Sequence, residues 1–415
     1  MENLKLRLLI SALAFGLGAS MAHADPTPSP SSPEQTASNA AFTELFSQAF
    51  SKWDVNHDGR VDLREITAAL EDPKVHGIES AIAVMFHGRM QKNEKEKLDA
   101  AFKDARTNKD AKQQRSAQQA EDEKTIEGLT RAQALALANE TKAEKELFKK
   151  ALHIESINHE LFAPGDPKME SFHQGGMGDC YLPCVVGALV HRDPQAVRKM
   201  IQPQADGTFQ VHFGDGQTVT VKPLTDAELI MGAKEGSTYG VWLSVLEKAY
   251  AHIAAEVKEK KTGEVVNADS EVTAHLIGRG GDSGPVIKLL TGHDIIRPPL
   301  DVWAKQDPAG GLEKAHQLLA KVTGEHRLMA MGTHGDVTLP KGIPHGHALS
   351  VFGYDKERRV VLVFNPWGNS LKPADPPGLV NGYPTSHGTF EVPLAEFVQI
   401  FWYFNCESKK PAPAG

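Results

Sequence analysis

The spacing of apolar residues changes along the chain and separates an early helical part from a later part rich in strands. In residues 41–155 apolar positions recur every three or four residues, as they do on one face of a helix. The clearest such face comprises Phe42, Leu45, Phe46, Ala49, Phe50 and Trp53. Charged stretches such as QKNEKEKLDAAFKDARTNKDAKQQ follow it and are typical of solvated helices. We therefore predict an all-α module over residues 41–155 that ends in a helical spacer.

Beyond Pro164 the pattern changes to glycines, turns and short runs in which apolar and polar residues alternate. GTFQVHFGDGQTVTVKPL alternates as a β-hairpin does, with its turn at residues 214–216. ALSVFGYDKERRVVLVFNPWG has the pattern of two strands joined by a short polar turn, whereas GVWLSVLEKAYAHIAAEV has helical spacing. Helices that come first and strands that predominate later indicate an α+β fold.

The first 40 residues have the pattern of an export signal followed by a linker. Lys5 and Arg7 precede the apolar stretch Leu8–Ala22, which is too short to span a bilayer, and AHA at residues 22–24 fits a cleavage site. We therefore expect a signal peptide over 1–24 and an exported protein, periplasmic or secreted, that is not held in a membrane after cleavage. The Pro/Ser-rich segment 25–40 is predicted to be a disordered linker.

Composition narrows the possible partners and the role of cysteine. The 415 residues are 40% hydrophobic and 24% charged, with a net charge of -8 and no dense Lys/Arg block, which argues against a nucleic-acid partner. Only Cys180, Cys184 and Cys406 occur, too few for a disulfide scaffold. The odd number leaves at least one free thiol, and catalysis would explain a free thiol in an exported protein.

DVNHDGRVDLRE, residues 54–65, fits the twelve-residue calcium loop of an EF-hand. The predicted calcium ligands are the side chains of Asp54, Asn56, Asp58, Asp62 and Glu65 and the backbone carbonyl of Arg60. Gly59 supplies the sharp turn that the loop requires. The alternative, a merely acidic turn, leaves unexplained why every ligand position is filled. EDPKVHGIESAI, which follows, lacks the ligand pattern, so any partner loop is degenerate.

HQGGMGDCYLPCVVGALV, residues 173–190, places a cysteine between a glycine-rich turn and an apolar helix. A helix start lowers the pKa of a thiol, so we expect a thiolate at Cys180. Gln174 can aim its side-chain amide at the same point as the Cys180 backbone N–H and so help to bind an oxyanion. His347 begins one strand and Asn365 ends another, with Trp367 behind it to shield an Asn–His hydrogen bond. These groups are the parts of a cysteine hydrolase.

QGGMGDCYL, WLSVLEKAYA, KLLTG, GHALSVFG, FNPWG and GTFEVPLAEFVQIFWYFNC occur in an order that resembles the catalytic core of the calpains. The resemblance covers about Ser156 to Cys406. It implies a papain-like catalytic domain over residues 156–408, with a helical and a β-rich subdomain, the active site between them, and a flexible tail over 409–415. It also implies protein or peptide substrates. By the same resemblance the nucleophile is Cys180, the histidine His347, the asparagine Asn365 and the oxyanion glutamine Gln174.

The chain departs from the calpain pattern at two places. Tyr181 replaces the usual tryptophan after the cysteine, and Leu182–Pro183 replaces a pair of leucines. The large calpains carry several EF-hands after the catalytic core, whereas this chain has one such loop before it. The carboxylate, amide and carbonyl oxygens that residues 54–65 offer make Ca²⁺ the expected cofactor.

Several residues imitate catalytic groups. GDSGP at residues 281–285 matches the nucleophile motif of chymotrypsin-like proteases, but its flanks are helical, so Ser283 is predicted to lie in a glycine-rich loop near the cleft. Cys184 and His345 are interpreted as structural. The sequence therefore predicts an exported calcium-binding cysteine endopeptidase. Two alternatives remain, a calcium-dependent binding protein with an inactive calpain-like fold and a thiol acyltransferase that uses the same triad.

Overall fold

A computed structural model describes residues 33–101, 128–138, 141–163, 165–168, 172–235, 240–263, 276–333, 339–369 and 373–409. The predicted signal peptide 1–24, the first half of the predicted linker and most of the predicted tail lie outside these residues. The chain divides into two compact units. One comprises residues 1–155 and 225–230, and the other comprises residues 156–224 and 231–415.

The first unit is built from helices and one short sheet. Its helices are α1 (Pro33–Trp53), α2 (Leu63–Glu71), α3 (Gly77–Ala101), α4 (Arg131–Ala138) and α5 (Thr141–Ser156). Strands β1 (Arg60–Val61) and β2 (Leu129–Thr130) pair antiparallel. Helix α1 begins inside the segment 25–40 that we expected to be disordered. Pro33 is compatible with this start, because amides of the first helical turn have no partner within the helix.

The apolar face predicted on α1 forms the core of the first unit. The Phe46 ring lies 4.8 Å from that of Phe86 on α3 and 6.1 Å from that of Phe50, and all three side chains are buried. Residues 225–230 complete this unit although they come much later in the chain. The Thr225 hydroxyl donates to the Leu70 carbonyl (2.7 Å).

The second unit begins with short strands and helices. In chain order these are β3 (Phe172–His173), α6 (Pro183–Arg192), α7 (Pro194–Met200), β4 (Ile201–Pro203), β5 (Phe209–His212), β6 (Thr218–Val221), β7 (Lys234–Glu235) and α9 (Trp242–Thr262). Helix α8 (Asp226–Met231) comes between β6 and β7 in the chain, but its residues 226–230 belong to the first unit. Strands β5 and β6 pair antiparallel with Val211 opposite Val219, which confirms the hairpin predicted around residues 214–216. Strand β3 pairs with β7 and so fixes the chain just before the glycine-rich loop.

The rest of the second unit forms a six-stranded sheet with helices packed against it. Its elements are α10 (Ser283–Thr291), β8 (Ile295–Ile296), α11 (Leu300–Gln306), α12 (Pro308–Gly324), β9 (Met329–Thr333), β10 (Ala348–Asp355), β11 (Val360–Phe364), β12 (Thr389–Pro393), α13 (Leu394–Ile400) and β13 (Phe401–Glu407). The strand order is β12-β11-β10-β9-β13-β8, and neighbours run antiparallel. This mixture of helices and sheet is the α+β fold that the sequence predicted.

The sheet is held by an apolar core that includes Leu349, Val361, Val363, Phe390 and Phe397, all buried. Burial of the side chains alternates from Val360 to Val363 in β11, because successive side chains of a strand point to opposite faces of the sheet. The arrangement places the start of β10 and the end of β11 side by side, with Ser350 opposite Phe364. None of the helices in the described ranges is both long and apolar enough to cross a membrane.

Candidate active site

The loop between β3 and α6 carries the predicted nucleophile and packs closely against neighbouring backbone. A Cβ at Gly175 would lie 1.7 Å from the carbonyl oxygen of Gly232, and one at Gly178 would lie 2.4 Å from that of Gly278. Only glycine allows such approach without displacing the chain. The glycines therefore serve contacts between loops of the unit itself.

Cys180 lies in the turn that leads into α6. Its carbonyl accepts the Cys184 N–H (3.1 Å), and α6 begins at Pro183, three residues after Cys180. Its Sγ accepts the backbone N–H of Ala348 at the start of β10 (3.3 Å). The thiol therefore lies beside the peptide that joins Ala348 to His347.

The electrostatic surroundings of Cys180 differ from the sequence-based expectation. Burial raises the pKa of the Cys180 thiol, the Ala348 N–H opposes that shift, and the negative charge of Asp179 adds to it. We expected the helix start to lower this pKa. Removal of the thiol from water has the larger effect, because burial penalises the thiolate. The resting protein therefore favours a neutral thiol.

His347 is held in place through both its backbone and its ring. The Thr333 hydroxyl accepts the His347 N–H (3.1 Å), and the Thr333 N–H donates to the His347 carbonyl (3.0 Å). His347 Nε2 lies 2.8 Å from Asn365 Oδ1. Burial lowers the pKa of His347 to about 4, and the hydrogen bond to Asn365 opposes that shift. The imidazole is therefore neutral at neutral pH.

Asn365 follows β11 and is completely buried. Its Oδ1 also accepts the Trp367 backbone N–H (3.1 Å). The Trp367 ring lies 4.2 Å from the His347 ring, and 40% of its surface remains exposed. This indole covers one side of the histidine, next to the Asn365–His347 hydrogen bond that we predicted it to shield.

Gln174 lies next to this group but its amide is directed elsewhere. Its backbone N–H donates to the Pro366 carbonyl (2.8 Å), which joins the glycine-rich loop to the segment after Asn365. Its Nε2 donates to the Met177 carbonyl (2.6 Å), and its Oε1 is buried with no donor. An amide nitrogen has two hydrogens, of which the Met177 carbonyl accepts one. The Gln174 amide can donate to an oxyanion only if the carboxamide turns toward it.

Ser283, which imitates a protease nucleophile, begins a helix and does not lie in the predicted glycine-rich loop. It is buried as the first residue of α10, and its hydroxyl accepts a hydrogen bond from Asn405 Nδ2 (2.9 Å). Asp282 caps the same helix by accepting the Gly284 N–H (2.7 Å). Cys184 and Cys406 are buried free thiols, so the two do not form a disulfide.

The residues predicted to bind calcium lie together in the loop between α1 and α2. Gly59 has a φ of +78°, the left-handed conformation that the predicted turn needs. Asp62 caps α2 by accepting the Glu65 N–H (2.9 Å), and Glu65 Oε2 accepts the Asp62 N–H in return (3.0 Å). Glu65 Oε1 reaches across the loop to the Asn56 N–H (3.2 Å).

The oxygens of this loop suit calcium in chemistry but are occupied by backbone amides. Asp54 Oδ2 accepts the Gly59 N–H (3.1 Å), whereas Asp54 Oδ1 is buried with no partner. Asp58 Oδ1 accepts the Arg60 N–H (2.8 Å). Across the described ranges, no three His, Cys, Asp or Glu side chains converge as they stand into a metal site. The orphaned oxygen and the hard-oxygen ligand set fit Ca²⁺, provided that the carboxylates turn inward.

The segment that pairs with the calcium loop was missed from the sequence. Val61 lies opposite Leu129, and the Arg60 guanidinium donates to the Gly128 carbonyl (2.8 Å). Thr130 and Gln133 form a reciprocal cap at the start of α4, as Asp62 and Glu65 do for α2. The T-x-x-Q spacing of residues 130–133 is the sequence signal for this cap, whereas residues 71–82 were the expected position of a partner loop.

Comparison with known proteins identifies the family to which these residues belong. Residues 130–372 match the family described as calpain family cysteine protease. Among curated proteins, calpain-8 of Rattus norvegicus is 23% identical over 225 residues, which cover 50% of this chain and 29% of that protein. Calpain-8 of Mus musculus is 22% identical over 232 residues, which cover 52% of this chain and 30% of that protein. The chain thus spans less than a third of these relatives. Because the family match extends over more than half of the chain, this protein belongs to the calpain family of cysteine proteases.

Proposed function

We propose that this protein is an exported, calcium-binding cysteine endopeptidase that hydrolyses peptide bonds in proteins or peptides. The observation that carries the proposal is the meeting of three segments at one point. The Cys180 thiol accepts the Ala348 N–H, and the preceding residue, His347, is bonded to Asn365. Family membership supports cysteine protease chemistry, and this contact supports Cys180 as the nucleophile.

In the proposed mechanism, the reaction begins with proton transfer between neutral groups. Burial raises the pKa of Cys180 and lowers that of His347, so the resting pair is a thiol and a neutral imidazole. As substrate binds, His347 takes the thiol proton and the sulfur attacks the peptide carbonyl carbon. Asn365 orients the imidazole and stabilises its protonated form, because its hydrogen bond raises the pKa of His347.

The tetrahedral intermediate then requires donors for its oxyanion. The Cys180 N–H is one, and the Gln174 amide becomes the second after it turns away from the Met177 carbonyl. The imidazolium protonates the leaving amine, and the C–N bond breaks to leave an acyl-enzyme. A water molecule, deprotonated by His347, hydrolyses the thioester and restores the thiol.

Calcium would be held by the side chains of Asp54, Asn56, Asp58, Asp62 and Glu65 together with the Arg60 carbonyl. When bound, the ion would neutralise these carboxylates and fix the loop between α1 and α2. Glu65 would exchange its bonds to loop amides for bidentate contact with the ion. We assign this ion a structural role in the first unit.

Alkylation of the folded full-length chain tests the nucleophile. Cys180 should react with iodoacetamide before Cys184 and Cys406, which are both completely buried. Cys180→Ala should abolish peptide cleavage, and Ser283→Ala should retain most of it. If Ser283→Ala abolishes cleavage in folded protein and Cys180→Ala does not, the assignment is wrong.

Product analysis separates hydrolysis from the two alternatives. A peptidase releases free carboxyl termini even when an amine is added, whereas a thiol acyltransferase gives the amide of that amine. Folded protein that binds calcium but cleaves no peptide would support the inactive binding protein. Export predicts that extracytoplasmic protein begins at Asp25, and an intact Met1 on that material would exclude the signal peptide.

A further inference from the structure

An exposed indole lies at the same edge of the six-stranded sheet as His347. Strand β9 ends at Thr333 and lies between β10, which begins just after His347, and β13, which carries Trp402. The Thr333 N–H donates to the His347 carbonyl (3.0 Å), and the Thr333 carbonyl accepts the Trp402 indole N–H (3.1 Å). A single residue therefore links Trp402 to the proposed catalytic base.

A β-bulge turns Trp402 away from the core of the sheet. The two-residue step from Phe401 to Tyr403 in β13 lies opposite a one-residue step in β9, so Trp402 is an extra residue in the strand. Phe401 and Phe404 are both buried although they are three residues apart, whereas regular alternation would turn them to opposite faces. The bulge permits this and leaves Trp402 50% exposed between them. Bulges are common next to active sites, where they redirect a side chain.

The position of Trp402 corresponds to a definite distance along a bound peptide. Among the side chains that the structure describes, the only exposed rings of Phe, Tyr or Trp are those of Trp367, which covers His347, and Trp402. Neighbouring strands lie about 4.8 Å apart, so β13 is about 10 Å from β10. An extended peptide rises about 3.3 Å per residue. A peptide that passes from His347 toward β13 therefore brings a side chain about three residues from the scissile bond beside Trp402.

The surface around Trp402 suits an apolar side chain. The indole N–H is bonded to the Thr333 carbonyl, so a ligand meets the carbon atoms of the ring. The Tyr403 ring lies 6.0 Å from the indole and extends the aromatic surface. The Arg297 guanidinium over the Tyr403 ring is paired with Asp282, so this pair adds no net charge that would attract a charged side chain. Aromatic rings of this kind bind large apolar side chains through buried area.

We infer that Trp402 is a specificity-determining residue that binds a large apolar side chain of the substrate, about three residues from the scissile bond. This inference rests on the proposed peptidase function and deepens it. The hydrogen bond to Thr333 holds the indole in place before substrate binds, which reduces the entropic cost of the contact.

Cleavage of a random peptide mixture by the full-length chain tests the preference. Products of the wild type should be enriched in Leu, Met or Phe at one position about three residues from the cut. Two peptides chosen from these products, which differ only by Leu or Ala at that position, then give the size of the effect. Trp402→Ala should lower kcat/KM for the Leu peptide about tenfold, mainly through KM, and should leave kcat/KM for the Ala peptide almost unchanged.

Two further variants separate substrate contact from support of the fold. Trp402→Phe keeps an aromatic face and should retain most of the preference for the Leu peptide. Val257→Ala shortens an apolar side chain that is 58% exposed on α9 and should change neither rate. Equal losses for the Leu and Ala peptides in Trp402→Ala would mean that the indole acts only by supporting Thr333, and would overturn the inference.

Other outcomes also contradict the inference. A wild type that prefers Lys or Arg at this position would exclude apolar recognition. If the preference persists in Trp402→Ala while a dimer becomes a monomer, as sedimentation would show, the indole belongs to an interface between copies of the chain.

A binding measurement is independent of catalysis. Folded Cys180→Ala should retain peptides rich in Leu, Met or Phe from the same mixture, and Cys180→Ala/Trp402→Ala should lose this enrichment. The same enrichment in both proteins would overturn the inference whether or not the wild type cleaves peptides. A wild type that cleaves no peptide, with the difference in enrichment present, would instead reject the proposed peptidase function and leave Trp402 as a peptide-binding residue.

Discussion

The loop predicted to bind calcium, residues 54–65 (the calcium loop), and the loop that carries the predicted nucleophile, residues 174–182 (the catalytic loop), both lead into a helix and both contain carboxyl groups, but the surroundings of those groups are opposite. In the calcium loop, the acidic side chains are exposed or half-buried and accept hydrogen bonds from nearby amides. In the catalytic loop, Asp179 is completely buried, and neither of its carboxylate oxygens has a hydrogen-bond partner. A carboxylate near water can exchange its hydrogen bonds with backbone amides for contact with a cation. A buried carboxylate can interact only with the groups that are packed around it.

The largest expected effect concerns His347, whose neighbour Ala348 donates a hydrogen bond to Cys180 in the catalytic loop. His347→Ala removes the base and should lower kcat by about 1000-fold or more, as loss of a triad member does. His345→Ala is the matched control, because this histidine lies two residues away but is exposed. Steady-state cleavage of a peptide by the full-length chain measures both. Similar losses in the two variants would mean that the difference in burial does not mark the functional residue.

Acid stability is the next largest effect and follows from the same burial. The pKa of His347 is about 4 in the folded chain, below the ordinary value of 6.5. As pH falls through this interval, His347 binds a proton in the unfolded chain but stays neutral in the folded chain. The free energy of unfolding therefore falls by about 3 kcal/mol at most. Denaturant unfolding at neutral and acid pH should show this loss.

His347→Gln should lose less stability on acidification than the wild type, because it lacks the titrating group. His345→Gln again provides the control and should behave as the wild type does. If all three proteins lose the same free energy between the two pH values, His347 is not refusing a proton in the folded state.

The calcium loop should respond to a change that leaves the catalytic loop unaffected. Glu65→Gln removes one charge and weakens bidentate contact, so calcium affinity should fall about tenfold or more. Glu44→Gln makes the same substitution on the exposed face of α1, where Glu44 contacts only Gln48 among the hydrogen bonds described for it, and should leave affinity unchanged. Calorimetric titration measures both. An unchanged affinity in Glu65→Gln would remove this loop as the calcium site.

The smallest expected effect is that of chelation on the full-length chain. A ligand that binds only the folded state stabilises it by RT ln(1 + [L]/Kd), so a chelator should lower the melting temperature of the first unit by about 2–8 °C. Peptide cleavage below that temperature should change less. Loss of cleavage with no change in melting would instead place the controlling ion within the catalytic unit.

Local patterns predicted the parts of this fold that depend on neighbours in the sequence. The apolar spacing around Phe46 predicted the buried face of α1, and the alternation around residues 209–221 predicted a hairpin. The segment that pairs with the calcium loop could not be found in this way, because β2 is only two residues long. Short pairs of this kind are stabilised by tertiary contacts and leave almost no periodic signal.

The candidate site shows the same limit. Residue types and their order predicted a triad of Cys180, His347 and Asn365. The structure places Cys180 against Ala348, next to His347, and joins His347 to Asn365 by a hydrogen bond. The sequence could not reveal that Sγ would be buried against Ala348, so the expected direction of its pKa shift was wrong. Nor could it show that the Gln174 amide would face Met177. Both features depend on how deeply the loop packs, which residues distant in sequence decide.

The discontinuity of the first unit has a consequence for how the protein is made. Residues 225–230 belong to that unit, and Asp226 accepts the Gly77 N–H there (2.7 Å). On the ribosome, the helical unit therefore stays incomplete until the chain has grown past residue 230. A gene shortened to start at Ser156 would still encode residues 225–230, which belong to the missing unit. In its product, Thr225 would lack its hydrogen bond to Leu70 and Asp226 would lack its hydrogen bond from Gly77.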